Sequence, residues 1–151
     1  MNQLVITEIH LAARLYRSGI LKYFNGNELS LLITDFCYET KPLGINNDKM
    51  ISKKMIEQGI LNVVNLNEQQ VGKIVELHRL YKPKFVMKTI SALVFAQENK
   101  LRLISEDELV REIAGELNIR AYDKEWLVTT MVTEISTMGI NLDLELVKEI
   151  I

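Results

Sequence analysis

The chain has 151 residues, of which 48% are hydrophobic and 25% charged, the size of one domain and the composition of an ordinary soluble globule. A formal net charge of −2 excludes a broadly basic nucleic-acid-binding face, so any such role has to rest on a local patch. The single cysteine, Cys37, excludes an internal disulfide and fits a reducing compartment.

Strand and helix signals alternate along the chain. Residues 3–7 form a short apolar run. Ile9, Ala12, Ala13, Tyr16 and Ile20 then recur at helical spacing, with Arg14, Arg17 and Ser18 between them, and Gly19 stands at the expected helix end. A short helical piece, Ile20–Phe24, leads into the turn Asn25-Gly26-Asn27. Ser30–Thr34 reads as the second strand, followed by a helix from near Phe36 that stops before Pro42. Asn46–Gln58 is a helix stopped by Gly59, and Ile60–Leu66 the third strand. Asn67 and Gln70 have the spacing of a capping box for a helix that runs to about Tyr81, where Pro83 interrupts. Phe85–Asn99 is a strongly apolar helix and Leu101–Ser105 the fourth strand. Ser105 with Glu108 is then expected to cap a helix to Leu117. Ile119–Tyr122 reads as a short edge strand, before helices over Asp123–Met138 and Leu142–Ile151.

That alternation predicts an α/β fold with a parallel sheet between helices on both faces, and no repeat or linker divides residues 1–151. Three of the apolar runs end in a hydroxyl residue and then an acid: LVITE (Leu4–Glu8), LLITD (Leu31–Asp35) and LRLISED (Leu101–Asp107). Ligands of open parallel sheets sit at the carboxyl ends of the strands, so repeated acids there suggest carboxylates around a divalent cation.

From Leu93 to Ile119 the phrase LVFAQENKLRLISEDELVREIAGELNI resembles the C-terminal half of a PIN domain, the nuclease fold of many toxins of bacterial toxin–antitoxin pairs. ITDFCYE (Ile33–Glu39) resembles the family's second motif and LVITE its opening strand and first acid. The resemblance implies a three-layer α/β/α architecture with about five short parallel strands. It also implies a four-acid site that holds one or two Mg²⁺ or Mn²⁺ ions, which activate water for attack on phosphorus. Carried onto this sequence, the catalytic and metal-binding acids are Glu8, Glu39 and Asp107, with Ser105 as a companion hydroxyl. Glu8 stands where the family usually has Asp, and the third acid falls on Thr89, a neutral and poor ligand. His10 replaces the Asn that commonly follows the first acid by two residues, and is a candidate nitrogen ligand for Mn²⁺. A missing carboxylate and a lengthened one together predict an impaired or lost nuclease.

Each residue also has a plainer reading. Glu8 and Asp107 are acids favoured by helix dipoles, and Asp35 is a helix N-cap that leaves the site role to Glu39. His10 is a packed, hydrogen-bonded histidine, His78 is structural or at the surface, and Cys37, Trp126 and Met131 belong to the core. Arg79, Lys82, Lys84 and Lys88, interleaved with Tyr81 and Phe85, form a candidate surface for single-stranded RNA near the mouth of the acid cluster, or else a solvated helix junction.

Two functions are expected from this pattern. One is a toxin-type, metal-dependent endoribonuclease with weakened or lost activity. The other is a non-catalytic relative that keeps the fold to bind RNA or a protein, such as an antitoxin or a second copy through the apolar segment Gly139–Ile151. The opening MNQLVITE lacks a signal-peptide pattern and no run approaches membrane-span length, so a cytoplasmic protein is expected.

Overall fold

The computed structural model describes residues 2–38, 46–81 and 85–151. Five apolar runs become strands: β1 (Gln3–Ile6), β2 (Ser30–Thr34), β3 (Leu61–Val64), β4 (Arg102–Ile104) and β5 (Ala121–Tyr122). All pair in parallel, in the order β3-β2-β1-β4-β5. Leu4, Val5 and Ile6 of the central strand have no exposed surface, and all five residues of β2 are buried. Strands covered on both faces read as continuous apolar runs rather than alternating ones.

Eight helices are present among the described residues: α1 (Ile9–Ser18), α2 (Asp35–Tyr38), α3 (Asn46–Glu57), α4 (Glu68–Tyr81), α5 (Met87–Asn99), α6 (Glu108–Glu116), α7 (Lys124–Thr137) and α8 (Leu144–Ile150). Helix α5 lies on β1, β2 and β4 and packs against α4 and α2, while α1 packs against α3 and α8. The result is the expected three-layer α/β/α arrangement. Ile90, Ala92, Leu93, Val94 and Ala96 bury the inner face of α5, which is why this helix reads as apolar through most of its length.

Local chemistry sets most of the boundaries. Gly19 ends α1 at φ 80°, and its N–H donates to the Tyr16 carbonyl. Asn67 and Gln70 close the expected capping box, each backbone N–H donating to the other's side-chain oxygen at 2.8 and 2.9 Å. Most elements are one to three residues shorter than expected, with α5 starting at Met87 rather than Phe85 and α8 at Leu144 rather than Leu142. Two of the differences have a cause in the sheet. Strand β3 ends at Val64 because Thr34, the last residue of β2, is its pairing partner there. Helix α6 is capped by Asp107, not Ser105: the Ser105 N–H still donates to the Tyr122 carbonyl at the sheet edge. Only two residues later is the chain free to turn into a helix.

Candidate functional site

The strand order fixes where a ligand site belongs. From β1 the chain steps outward to β2 and β3, then crosses back to β4 and β5 on the other side. The direction of winding therefore reverses between β1 and β4, and the crevice at the carboxyl ends of these two strands is the usual ligand position in such sheets. Glu8 follows β1 and Asp107 follows β4, so the two acids flank this switch point.

Glu8 occupies the N-cap position of α1 in extended conformation, is exposed, and makes no capping bond with its side chain. The Asp107 carboxylate accepts from the Leu109 N–H at 2.9 Å, so one of its oxygens is occupied by the cap. Ser105 is buried and accepts from the Asp107 N–H at 3.2 Å, while its carbonyl accepts from the Arg111 guanidinium at 2.7 Å. Asp35 is the first residue of α2, and among the described residues its carboxylate accepts only from the adjacent Phe36 N–H, at 2.9 Å. The capping bond expected of it is made by the Thr34 hydroxyl, which accepts from the Cys37 N–H three residues on. Thr89 lies in the first turn of α5, half-buried beside Lys88. Glu39, Lys82 and Lys84 fall outside the described residues.

Below this edge the floor is neutral and internally satisfied. Ser91 donates to the Lys88 carbonyl at 2.5 Å, so its oxygen accepts from Thr34, 2.7 Å away. The Thr34 oxygen in turn accepts from the Cys37 N–H at 3.2 Å, and the Cys37 thiol donates to the Lys88 carbonyl at 3.2 Å. Burial pushes the Cys37 thiol pKa up, against the opposing pull of the Thr34 and Ser91 hydrogen bonds and the Lys88 charge, while the Glu8 charge adds to the rise. Glu8 at the end of β1 and Lys88 on α5 thus both act electrostatically on a thiol of α2. The thiol is kept protonated, inert and in the core, as expected.

One cluster was not anticipated. The Asp48 carboxylate, in the first turn of α3, has no exposed surface and holds two side chains of α1. Its Oδ2 lies 3.1 Å from His10 Nδ1, and its Oδ1 accepts from the Arg17 guanidinium at 2.5 Å. His10 is therefore hydrogen-bonded, as its plainer reading had it, yet 43% of its side chain stays exposed, as does 41% of that of Arg17. Helix side chains lean toward the N-terminus, so Arg17 reaches back along α1 to meet the same carboxylate as His10. Burial raises the Asp48 pKa, but the hydrogen bonds and charges of His10 and Arg17 outweigh it, and the carboxyl ends below its ordinary range. The signal was present in the sequence: Asp48, Ser52 and Met55 are spaced i, i+4, i+7, and all three are buried on one face of α3.

Among the described residues, no three His, Cys, Asp or Glu side chains come together in a group able to hold a metal ion. Of the described residues, the donors that flank the switch point are two carboxylates, one of them engaged as a cap, with Thr89 in the first turn of α5. Among the described residues, then, this donor set offers fewer charged oxygens than a divalent-cation centre uses. Of the basic run, Arg79 is exposed on α4 and Lys88 half-buried on α5. Phe85 is buried with Tyr81 tilted against it, ring centroids 6.1 Å apart, so Phe85 presents no open face for a base, contrary to expectation. A cleft of about 560 Å³ lined by Tyr16, Lys22, Phe24, Gln58 and Ile60 opens at the opposite edge, where the strands begin, away from these groups.

Compared by sequence, the chain matches no family model and no curated protein. Compared by structure, it is similar to a PilT N-terminus domain protein from the hyperthermophilic archaeon Sulfolobus solfataricus P2. The two share 19% identity with a TM-score of 0.52, over 86% of this chain and 93% of that one. The fold is PIN-like, as the motifs from Leu93 to Ile119 implied. No helix among the described residues is long and apolar enough to cross a membrane.

Proposed function

We propose that this protein is a toxin-type endoribonuclease homologue that binds single-stranded RNA and in which metal-dependent cleavage is impaired or lost. The observation that carries this reading is the composition of the switch-point crevice. It keeps Glu8 and Asp107 at the ends of adjacent strands, with Thr89 in the first turn of the helix above. The fold supports RNA as the ligand class, and Lys88 and Arg79, with Lys82 and Lys84 between them in sequence, supply the positive charge. Glu39 completes the acid set by its place in the sequence pattern. Three acids with a neutral fourth corner hold Mg²⁺ or Mn²⁺ weakly, because affinity follows the number and geometry of charged oxygens.

Calorimetric titration of Mn²⁺ into the wild type and into Thr89→Asp tests this reading. Binding by the variant alone is expected, and tight binding by both would overturn the idea of a decayed centre. A non-catalytic module for a protein partner, an antitoxin or a second copy, is the alternative. It is favoured by Leu146 and Ile150, which lie one turn apart on α8 and are more than half exposed.

A further inference from the structure

We propose that His10 and Arg17, set by the buried Asp48 carboxylate, form a ribose–phosphate site in which His10 Nε2 accepts from a 2′-hydroxyl and Arg17 donates to the adjacent phosphate. The inference deepens the RNA reading above and rests on it. It concerns which nucleic acid is held, not whether one is cleaved.

The argument follows the protons. An ionised carboxylate only accepts hydrogen bonds, so the 3.1 Å contact with Asp48 Oδ2 requires the proton on His10 Nδ1. In the uncharged ring Nε2 is then a bare acceptor, and its direction is fixed by the Asp48 bond, as in other histidines oriented by a carboxylate. The ring meets Asp48 through its Nδ1 edge, and 43% of the side chain remains exposed to a ligand. A hydroxyl proton suits it; a phosphate, which offers none, does not.

Arg17 supplies the complementary half. One of its five N–H groups goes to Asp48 Oδ1, and on a side chain that is 41% exposed the guanidinium holds the others in the planar fork that matches a phosphate. Both heads meet the two oxygens of one carboxylate, so a fixed acceptor and a fixed donor stand side by side. Every ribonucleotide carries a 2′-hydroxyl next to its 3′-phosphate, and a deoxyribonucleotide lacks the hydroxyl; this group is what lets a protein separate RNA from DNA. Asp48 cancels the charge of Arg17, so the site selects by direction more than by attraction for polyanions. His10 lies two residues beyond Glu8, which puts the site beside the switch-point crevice.

Fluorescence anisotropy in mildly alkaline buffer with EDTA tests the proposal. The probes are one single-stranded sequence as RNA, as DNA with deoxyuridine, and as 2′-O-methyl RNA. The wild type is expected to hold RNA roughly 3- to 10-fold tighter than either analogue, the worth of one hydrogen bond. His10→Asn keeps an amide N–H where Nδ1 stands, so the Asp48 contact and the fold persist while the acceptor is lost. RNA affinity should then fall to the DNA level, with DNA binding unchanged. Arg17→Gln should weaken both strands alike. An unchanged RNA-to-DNA ratio in His10→Asn, or 2′-O-methyl RNA bound as tightly as RNA, overturns the ribose site and leaves the RNA reading standing. Absence of RNA binding by the wild type overturns both.

Discussion

Asp48 carries a fixed charge with no exposed surface, and its two covers are themselves half in water. The burial is therefore shallow, and the carboxyl is held below its ordinary value of 3.8 because the partners' hydrogen bonds and charges outweigh the cost of desolvation. A group with a depressed folded pKa contributes stability above its unfolded value and loses that contribution as pH falls through the folded one. Asp48→Asn should cost about 1–3 kcal/mol near neutrality, since its amide sets an N–H against one of two donors. In urea unfolding, the gap between wild type and variant should narrow as pH drops below 3.8; a gap that stays constant through that range would assign the stabilisation to packing alone. This residue was the least legible in the sequence. An acid at the start of a helix reads as dipole compensation, and only its phase with Ser52 and Met55 turns it inward.

At the scale of elements, caps were easy to read where they close locally and hard where the sheet intervenes. The Asn67–Gln70 box needs only residues three apart, and it forms. The cap of α6 depends on how far β5 holds the chain, which no local pattern states, so the hydroxyl of Ser105 was mistaken for the cap that Asp107 provides. Gln70 does more than cap: its amide donates to Glu98 at 2.9 Å, and Lys73 pairs with the same carboxylate at 3.1 Å. Those contacts, the Gln70 bond first, hold the Glu98 pKa below its ordinary range and tie α4 to α5. Gln70→Ala should cost about 1–2 kcal/mol. Hydrogen exchange should show the first turn of α4 opening while the sheet stays protected, and uniform loss of protection would refute so local a role.

Across the whole molecule, the alternation of short apolar runs with helical periodicity was enough to give a parallel sheet between two helical layers. The order of the strands was not readable, because it depends on pairings such as Leu4 with Arg102 that lie far apart in sequence. The acids shared this limit: their place at strand ends was legible, but not that β1 and β4 are neighbours. Leu4→Ala tests how much rests on that central strand. Leu4 is fully buried and β1 pairs on both sides, so the change should cost about 2–5 kcal/mol and lower one cooperative transition seen alike by circular dichroism and fluorescence. Two separated transitions would mean that the halves of the sheet unfold independently.

The stack of Tyr122 on Trp126 gives the molecule an optical reporter. The rings lie 4.0 Å apart and 14° from parallel, and this indole is the single tryptophan of the sequence. Two residues before it, the Lys124 N–H donates to Glu106, the residue between Ser105 and Asp107. A ligand that displaces the loop after β4 therefore pulls on the first turn of α7, and the change in the stack is recorded as emission without any added label.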